Sequence, residues 1–156
     1  MATRRDLKFD TLDEAVRDAE NLLARGYERA GNWDLAQCCH HLAVLMRWPI
    51  DGFPPMSLPR RVVARLLKWT IARRWLRRVL ESGVWPIGTP TDERTFPPPG
   101  CTDAEAMAML RDAVGRLLAH EGPFQESPLF GMLDKETLIK LHCIHTAHHL
   151  SFLVPK

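Results

Sequence analysis

The chain has 156 residues, of which 46% are hydrophobic and 26% are charged, and its formal net charge at pH 7 is +2. This length and composition are typical of one soluble globular domain, so we predict a single domain over residues 1–156. The small net charge and the lack of aromatic-interleaved basic motifs exclude nucleic acid as an expected partner. The four cysteines match neither a zinc ribbon nor a disulfide framework, and the N-terminal residues include no apolar run. We therefore expect a cytoplasmic protein without a membrane partner.

The first predicted helix is amphipathic and covers residues 12–25. Thr11 and Glu14 form a Thr-x-x-Glu capping box, in which each side chain satisfies a backbone amide at the start of the helix. Leucine, alanine and valine residues then recur at helical spacing as far as Gly26 and make one apolar stripe. This pattern is typical of a helix in a bundle.

The second predicted helix covers residues 34–48 and carries the first candidate ligand. Asp34 and Gln37 make another capping arrangement ahead of an apolar run. His41 lies beside apolar positions and is expected to point inward, with Gln37 one turn earlier as its hydrogen-bond partner. His40 is rotated by ~100° from His41 and is the weaker candidate for the interior. The alternative for His41 is a hydrogen-bonded core residue that binds no metal.

Prolines and basic residues dominate the middle of the chain. The prolines of residues 49–59 predict a non-helical connection, because each removes a backbone donor and restrains the residue before it. Residues 60–80 fit a helix with eight Lys or Arg and no acid. Their apolar stripe changes face near residues 69–72, where we expect a bend. A solvated basic face is expected, with anion binding and attachment to an anionic membrane as alternatives.

Residues 83–100 form a long proline-rich connection in which no regular element is expected. Such a connection either covers a functional site or crosses the molecule. Two further principal helices follow, over residues 103–120 after a Thr102 capping box and over residues 135–152 after Asp134. We therefore predict an all-α fold with minimal strand: a four-helix bundle with an additional helical segment, in which the long connection crosses between the second and third principal helices.

The last predicted helix carries His142, His145, His148 and His149, four of the seven histidines in the chain. His145 and His149 are four residues apart and offset by only ~40° around a helix axis, so both rings can reach one ion from the same side. Divalent first-row metals bind neutral imidazole, and this spacing is common in helical metal sites. The alternative is a solvated helix end that interacts with the helix dipole.

Several motifs resemble those of the DinB/YfiT-like superfamily of bacterial four-helix bundles. They are Asn32-Trp33-Asp34-Leu-Ala-Gln37, His41-Leu42, Gly52-Phe53-Pro54, Pro128-Leu-Phe-Gly131 and His145-Thr-Ala-His148-His149. The resemblance extends over nearly the whole chain and implies that His41, His145 and His149 bind one divalent metal ion. Zinc or nickel is expected, although manganese and iron also accept such ligands. The chain departs from many relatives in the apolar run that follows His149, which predicts a drier region beside the metal.

The resemblance implies a chemistry but assigns no catalytic residue. Some members are transferases or isomerases that use a low-molecular-weight thiol, while many have no established activity. We therefore expect a metal-dependent transferase, isomerase or hydrolase that acts on a small molecule of unknown identity, with such a thiol as a second cofactor. The alternative is a non-catalytic bundle that binds a metal or another ligand. A homodimer is compatible with either function.

Overall fold

The computed structural model describes residues 2–67 and 71–156, which are mostly helical. The helices follow in the order α1 (Leu12–Arg25), α2 (Leu35–Asp51), α3 (Leu58–Leu67), α4 (Arg73–Ser82), α5 (Asp103–Ala119) and α6 (Lys135–Leu150). Two three-residue strands, β1 (Tyr27–Arg29) and β2 (Leu153–Pro155), pair antiparallel. The predicted all-α class is thereby confirmed for this part of the chain.

Local capping chemistry begins the four principal helices where the sequence predicts. The side chains of Thr11, Asp34 and Thr102 each accept a hydrogen bond from the backbone amide three residues later, and the side chain at that later position bonds back to the cap amide. Asp134 accepts from the Thr137 amide at the start of α6. These caps satisfy amides that have no partner within the helix, and each stabilises its helix by ~0.5–2 kcal/mol.

The core lies mainly where α2 packs along α5. α1 contacts both α5 and α6, and α6 also contacts α2 and α4. Large side chains that are fully buried in this core include Leu22, Leu35, Leu42, Met46, Leu110 and Leu117. This packing brings α2 against α6, the two helices that carry the candidate ligands.

The strand pair fixes the loop before α2 against the end of α6. Beyond β1, the Ala30 amide donates to the Phe152 carbonyl at 2.7 Å. Gly31 packs directly on this contact, since a Cβ there would lie 3.1 Å from Cδ1 of Phe152. A larger residue would force the Phe152 ring to move, so the close approach depends on glycine. The loop that carries Trp33 is therefore held over the last turn of α6.

The predicted end of α2 is wrong, because the helix continues through Pro49 to Asp51. Proline removes one hydrogen bond from the last turn. Pro49 is nevertheless buried, and its carbonyl accepts from the Gln125 amide at 2.7 Å, so tertiary contacts hold this turn. The helix stops instead at Gly52, whose φ of 109° is a backbone conformation that glycine adopts readily.

Three other features also differ from the prediction. α3 begins at Leu58, so Leu58 and Pro59 of the predicted non-helical connection are helical; proline is tolerated in the first turn, where its missing amide would have no partner within the helix. The proline-rich connection contains a 3₁₀ turn at Glu93–Thr95, where the Asp92 side chain accepts from the Arg94 amide. α6 ends at Leu150 rather than at residue 152, because the chain leaves the helix to form β2.

The basic segment lies on α3 and α4. Of the bend predicted near residues 69–72, residues 69 and 70 lie outside the described residues. Arg74, Arg77 and Arg78 of α4 are exposed, and Arg77 pairs with Glu81 at 3.9 Å. The described part of this basic face is therefore solvated. No helix in residues 2–67 or 71–156 is long and apolar enough to cross a membrane.

Candidate metal centre

Three histidines from α2 and α6 converge at one point. His41 lies on α2, and His145 and His149 are one turn apart near the end of α6; their candidate ligand nitrogens all lie within 4.8 Å of one another. Nε2 of His145 is 3.4 Å from Nε2 of His41 and 3.0 Å from Nε2 of His149. The three residues predicted as ligands are therefore adjacent, although His41 and His145 are 104 positions apart in the sequence.

Two of the three separations between these nitrogens, those that involve His145, match the separations of ligands on one ion. Imidazole nitrogens bind zinc at ~2.0–2.1 Å, so two such ligands lie ~2.8–3.4 Å apart when the angle at the metal is between a right angle and the tetrahedral angle. Both measured separations fall in this range. His41, His145 and His149 could thus hold a metal ion, and no fourth His, Cys, Asp or Glu joins their cluster among the described residues.

Thr95 determines which nitrogen of His41 carries the proton. The Thr95 hydroxyl donates to the Asp92 carbonyl at 2.5 Å, which uses its only proton. Nδ1 of His41 lies 2.7 Å from the same hydroxyl oxygen and must therefore donate to it. Neutral His41 consequently carries its proton on Nδ1, and the lone pair of Nε2 is available beside the other two histidines. Outer hydrogen bonds of this kind fix the tautomer and orientation of metal-binding histidines.

Gln37 and His40 are the two neighbours of His41 about which the sequence makes a prediction. The side chain of Gln37 accepts from the Asp34 amide in the capping box of α2, and Thr95 takes the role that Gln37 was expected to have. His40 was expected to be the weaker candidate for the interior, and it is more exposed than His41, at 8% against 4%, although both side chains are buried. Its Nδ1 atom lies 2.9 Å from the Thr95 carbonyl, so a hydrogen bond from His40 also holds the 3₁₀ turn that contains Thr95.

Two tryptophans pack on the imidazoles of α6. The Trp85 ring stacks on His145 with centroids 3.9 Å apart, and the Trp33 ring stacks on His149 with centroids 4.9 Å apart. Trp33 also meets the His41 ring edge-on at 5.1 Å. These contacts shield the imidazoles from water and restrict their rotation, so the nitrogens are positioned before any ligand binds.

Burial keeps the three histidines neutral at pH 7. It is the main cause that lowers the pKa of His41 to about 4, and the neighbouring His40 contributes to the same shift. Burial and the neighbouring imidazoles lower the pKa values of His145 and His149 well below the ordinary histidine value. Because metals bind unprotonated imidazole, the three rings are in the protonation state that ligation requires.

Other nearby residues of types that can bind a metal lie outside the three-histidine cluster. Nδ1 of His148 accepts from Nη2 of Arg4 at 3.3 Å. His142 precedes His145 by one turn and is 6% exposed. Cys38 is buried, and its Sγ lies 3.9 Å from the His149 carbonyl, to which the thiol can donate. Burial raises the pKa of this thiol well above its ordinary value, so Cys38 is a neutral neighbour of the cluster.

A cavity of about 830 Å³ opens beside the three histidines between α2 and α6. Its walls are mostly apolar and include every tryptophan in the part of the chain that the structure describes: Trp33, Trp48, Trp75 and Trp85. Residues of the proline-rich connection form one wall, so this connection covers the cavity. This size and composition are typical of a small-molecule pocket.

The comparisons with known proteins identify a family whose description assigns no function. A family model described as protein of unknown function (DUF1569) matches residues 1–156. The search of curated proteins and the search of solved structures found no match. The chain therefore belongs to the DUF1569 family.

Proposed function

We propose that this protein is a metal-dependent enzyme of the DinB/YfiT-like four-helix-bundle type that binds one divalent ion through His41, His145 and His149. The observation that carries the proposal is the convergence of three Nε2 atoms, with the tautomer of His41 fixed by Thr95. Zinc and nickel are the ions we expect, because both bind imidazole well. The neutral, shielded rings support this ligand set.

Three protein ligands favour a catalytic role over a structural one. Structural zinc sites are usually closed by four protein ligands, whereas a catalytic site keeps a position for substrate or water. A divalent ion held here would act as a Lewis acid and lower the pKa of a thiol or water molecule, which suits group transfer, isomerisation or hydrolysis. The protein itself would supply a dry cavity that leads to this position and the fixed orientation of the imidazoles.

One observation favours the alternative, a non-catalytic bundle that binds a metal or another ligand. Asp92 is the only acidic residue on the described cavity walls, and its carboxylate pairs with Arg94 at 2.5 Å. The cavity therefore lacks an unpaired carboxylate as a general base. A low-molecular-weight thiol as co-substrate would bring its own nucleophile and would not need such a base. Among the catalytic reactions we therefore place thiol-dependent transfer first.

Metal analysis tests the ligand assignment. Protein purified without a histidine tag and loaded with zinc or nickel should retain one ion per chain after gel filtration, measured by inductively coupled plasma mass spectrometry. The His41→Ala variant should lose most of that metal. His120→Ala is the matched control, because it removes an imidazole that lies outside the cluster and the cavity. Equal metal content in His41→Ala and the unmodified protein would refute the proposal.

Turnover and melting separate the catalytic, non-catalytic and structural roles. We expect transfer activity with one of several low-molecular-weight thiols in metal-loaded protein and none after chelation. The melting temperature should change little on chelation, because a core of this size needs no metal. Collapse of the fold would indicate a structural site. An intact metal-loaded protein without turnover over a broad substrate panel would favour the non-catalytic bundle.

A further inference from the structure

His142 is a buried cavity residue without a hydrogen-bond partner. It lines the cavity and is only 6% exposed. Its Nδ1 atom is sealed from solvent, and neither ring nitrogen bonds to another residue in the described part of the chain. Since Nε2 is not among the sealed atoms, it is the nitrogen that the cavity can reach.

An unpartnered imidazole in this position points to a ligand. Buried polar groups in folded proteins are nearly always hydrogen-bonded, because losing water without gaining a partner is unfavourable. The sealed, unpartnered side-chain atoms among the described residues are Arg5 Nε, Arg47 Nε, His142 Nδ1 and Thr146 Oγ1. Of these four residues only His142 lines the cavity. The partner that His142 lacks is therefore one that the cavity can supply.

The same geometry determines what kind of partner fits. A proton on Nδ1 would be a buried donor without an acceptor, so the tautomer with the proton on Nε2 is favoured. Burial lowers the pKa of His142 to about 4, and the ring is neutral at pH 7. His142 thus presents a single N–H donor to a cavity whose other walls are mostly aromatic and aliphatic.

We propose that His142 is a substrate-binding residue whose Nε2–H donates to an acceptor, such as a carbonyl oxygen, on a largely apolar molecule in this cavity. The inference rests on the proposed function only for where the reactive end of that molecule lies. One turn of α6 separates His142 from His145, so the acceptor would lie ~5 Å along the helix from the metal-binding group. The substrate class is an apolar, aromatic-sized body with one such acceptor.

A pair of probes of the same shape tests the donor. 2-Acetonaphthone and 2-isopropenylnaphthalene differ only in a carbonyl oxygen against a methylene group. Both are titrated into chelator-treated protein, so the result does not depend on a metal, and tryptophan fluorescence reports occupancy of the cavity. The ketone-to-alkene affinity ratio should fall by about two- to tenfold in His142→Leu, while the alkene binds as well as before.

Three further variants separate a donor role from a packing role. His142→Gln keeps an N–H donor and should restore most of the ratio, whereas His142→Phe keeps a ring but no donor and should behave like His142→Leu. Thr146→Val is the matched control, because it removes the other unpartnered polar group of α6 without touching the cavity wall. Circular dichroism confirms which variants are folded, and either donor-free variant is sufficient for the comparison.

Each outcome has one meaning. An unchanged ratio in both donor-free variants, or no binding of either probe to the unmodified protein, would overturn the proposal. Loss of metal from His142→Gln would show that His142 is a ligand and would also overturn it. Failure of the unmodified protein to bind metal would refute the proposed function alone, because the probe measurement uses metal-free protein.

Discussion

Replacing Thr95 with valine tests whether a hydrogen bond outside the candidate metal centre sets its affinity. Thr95 is 0% exposed, and its hydroxyl accepts from Nδ1 of His41 at 2.7 Å. Valine has nearly the same shape but cannot accept this bond. The Asp92 carbonyl keeps a partner, because it also accepts from the Thr95 amide at 2.9 Å. The substitution therefore leaves the His41 N–H as the main unpaired group.

The expected effect follows from the two tautomers of His41. An unpaired buried N–H costs ~1–3 kcal/mol, so in Thr95→Val the proton will tend to move to Nε2, which then cannot bind a metal. Loss of such an outer partner lowers metal affinity by ~10–100-fold in known sites, which corresponds to ~1.4–2.7 kcal/mol. The two ranges agree, so we expect a loss of that size for zinc.

Competition with a fluorescent zinc chelator measures this affinity, and urea unfolding of the metal-free protein measures stability. Thr95→Ser is the matched control, since it keeps the hydroxyl and should bind zinc nearly as tightly as the unmodified protein. If Thr95→Val bound zinc with unchanged affinity, either His41 would not be a ligand or Thr95 would not select its tautomer, and the reasoning above would fail.

Two other predictions concern pH and packing. Because burial lowers the pKa of His41 to about 4, protons should displace zinc only as the pH approaches that value, and release already near the ordinary histidine pKa of ~6.5 during stepwise dialysis would contradict this. Leu110 is 1% exposed in the core around α2 and α5, so Leu110→Ala should lower the free energy of unfolding by ~2–5 kcal/mol in urea. A loss of less than ~1 kcal/mol would show that the site collapses around the smaller side chain.

Sequence patterns predict the starts of the principal helices well because the signals are local. A cap and the side chain three residues later lie within one turn, so Thr11 and Thr102 identify helix starts without knowledge of the rest of the fold. The same logic fails at Pro49. Its helical conformation depends on burial and on a bond from Gln125, which a local rule against proline cannot include.

The candidate metal centre likewise combines features that local sequence predicts with features that depend on the tertiary fold. The spacing of His145 and His149 is a property of one helix and can be predicted from the sequence. The approach of His41 was expected only from a family resemblance, because periodicity does not determine which helices are neighbours. Thr95 could not be predicted at all, since it lies in a proline-rich segment 54 positions from His41 and follows no repeating pattern. Trp85 lies in the same segment, and its stacking on His145 likewise depends on the tertiary fold.

The start of α2, the helix that carries His41, is held by a network around Tyr27. The Tyr27 hydroxyl donates to Oδ2 of Asp103 and accepts from the Leu35 amide, both at 3.0 Å. Oδ1 of Asp103 accepts from the Ala36 amide at 2.8 Å. One side chain of β1 thus joins the first turns of α2 and α5.

Ionisation of Tyr27 should therefore occur at unusually high pH and loosen this junction. Burial is the main cause that raises its pKa to about 12, and the hydrogen bond to Asp103 adds to it. An unfolded chain ionises its tyrosine near pH ~10, so the contribution of Tyr27 to stability is complete below that pH and is lost as the pH rises toward 12.

Tyr27 is the only tyrosine in the chain, so the absorbance of tyrosinate reports this one group. The folded protein should titrate well above the urea-unfolded protein, and Asp103→Asn should bring the folded value closer to ~10 because it removes the neighbouring charge. Identical titration of the folded and unfolded chains would show that this network does not hold the start of α2.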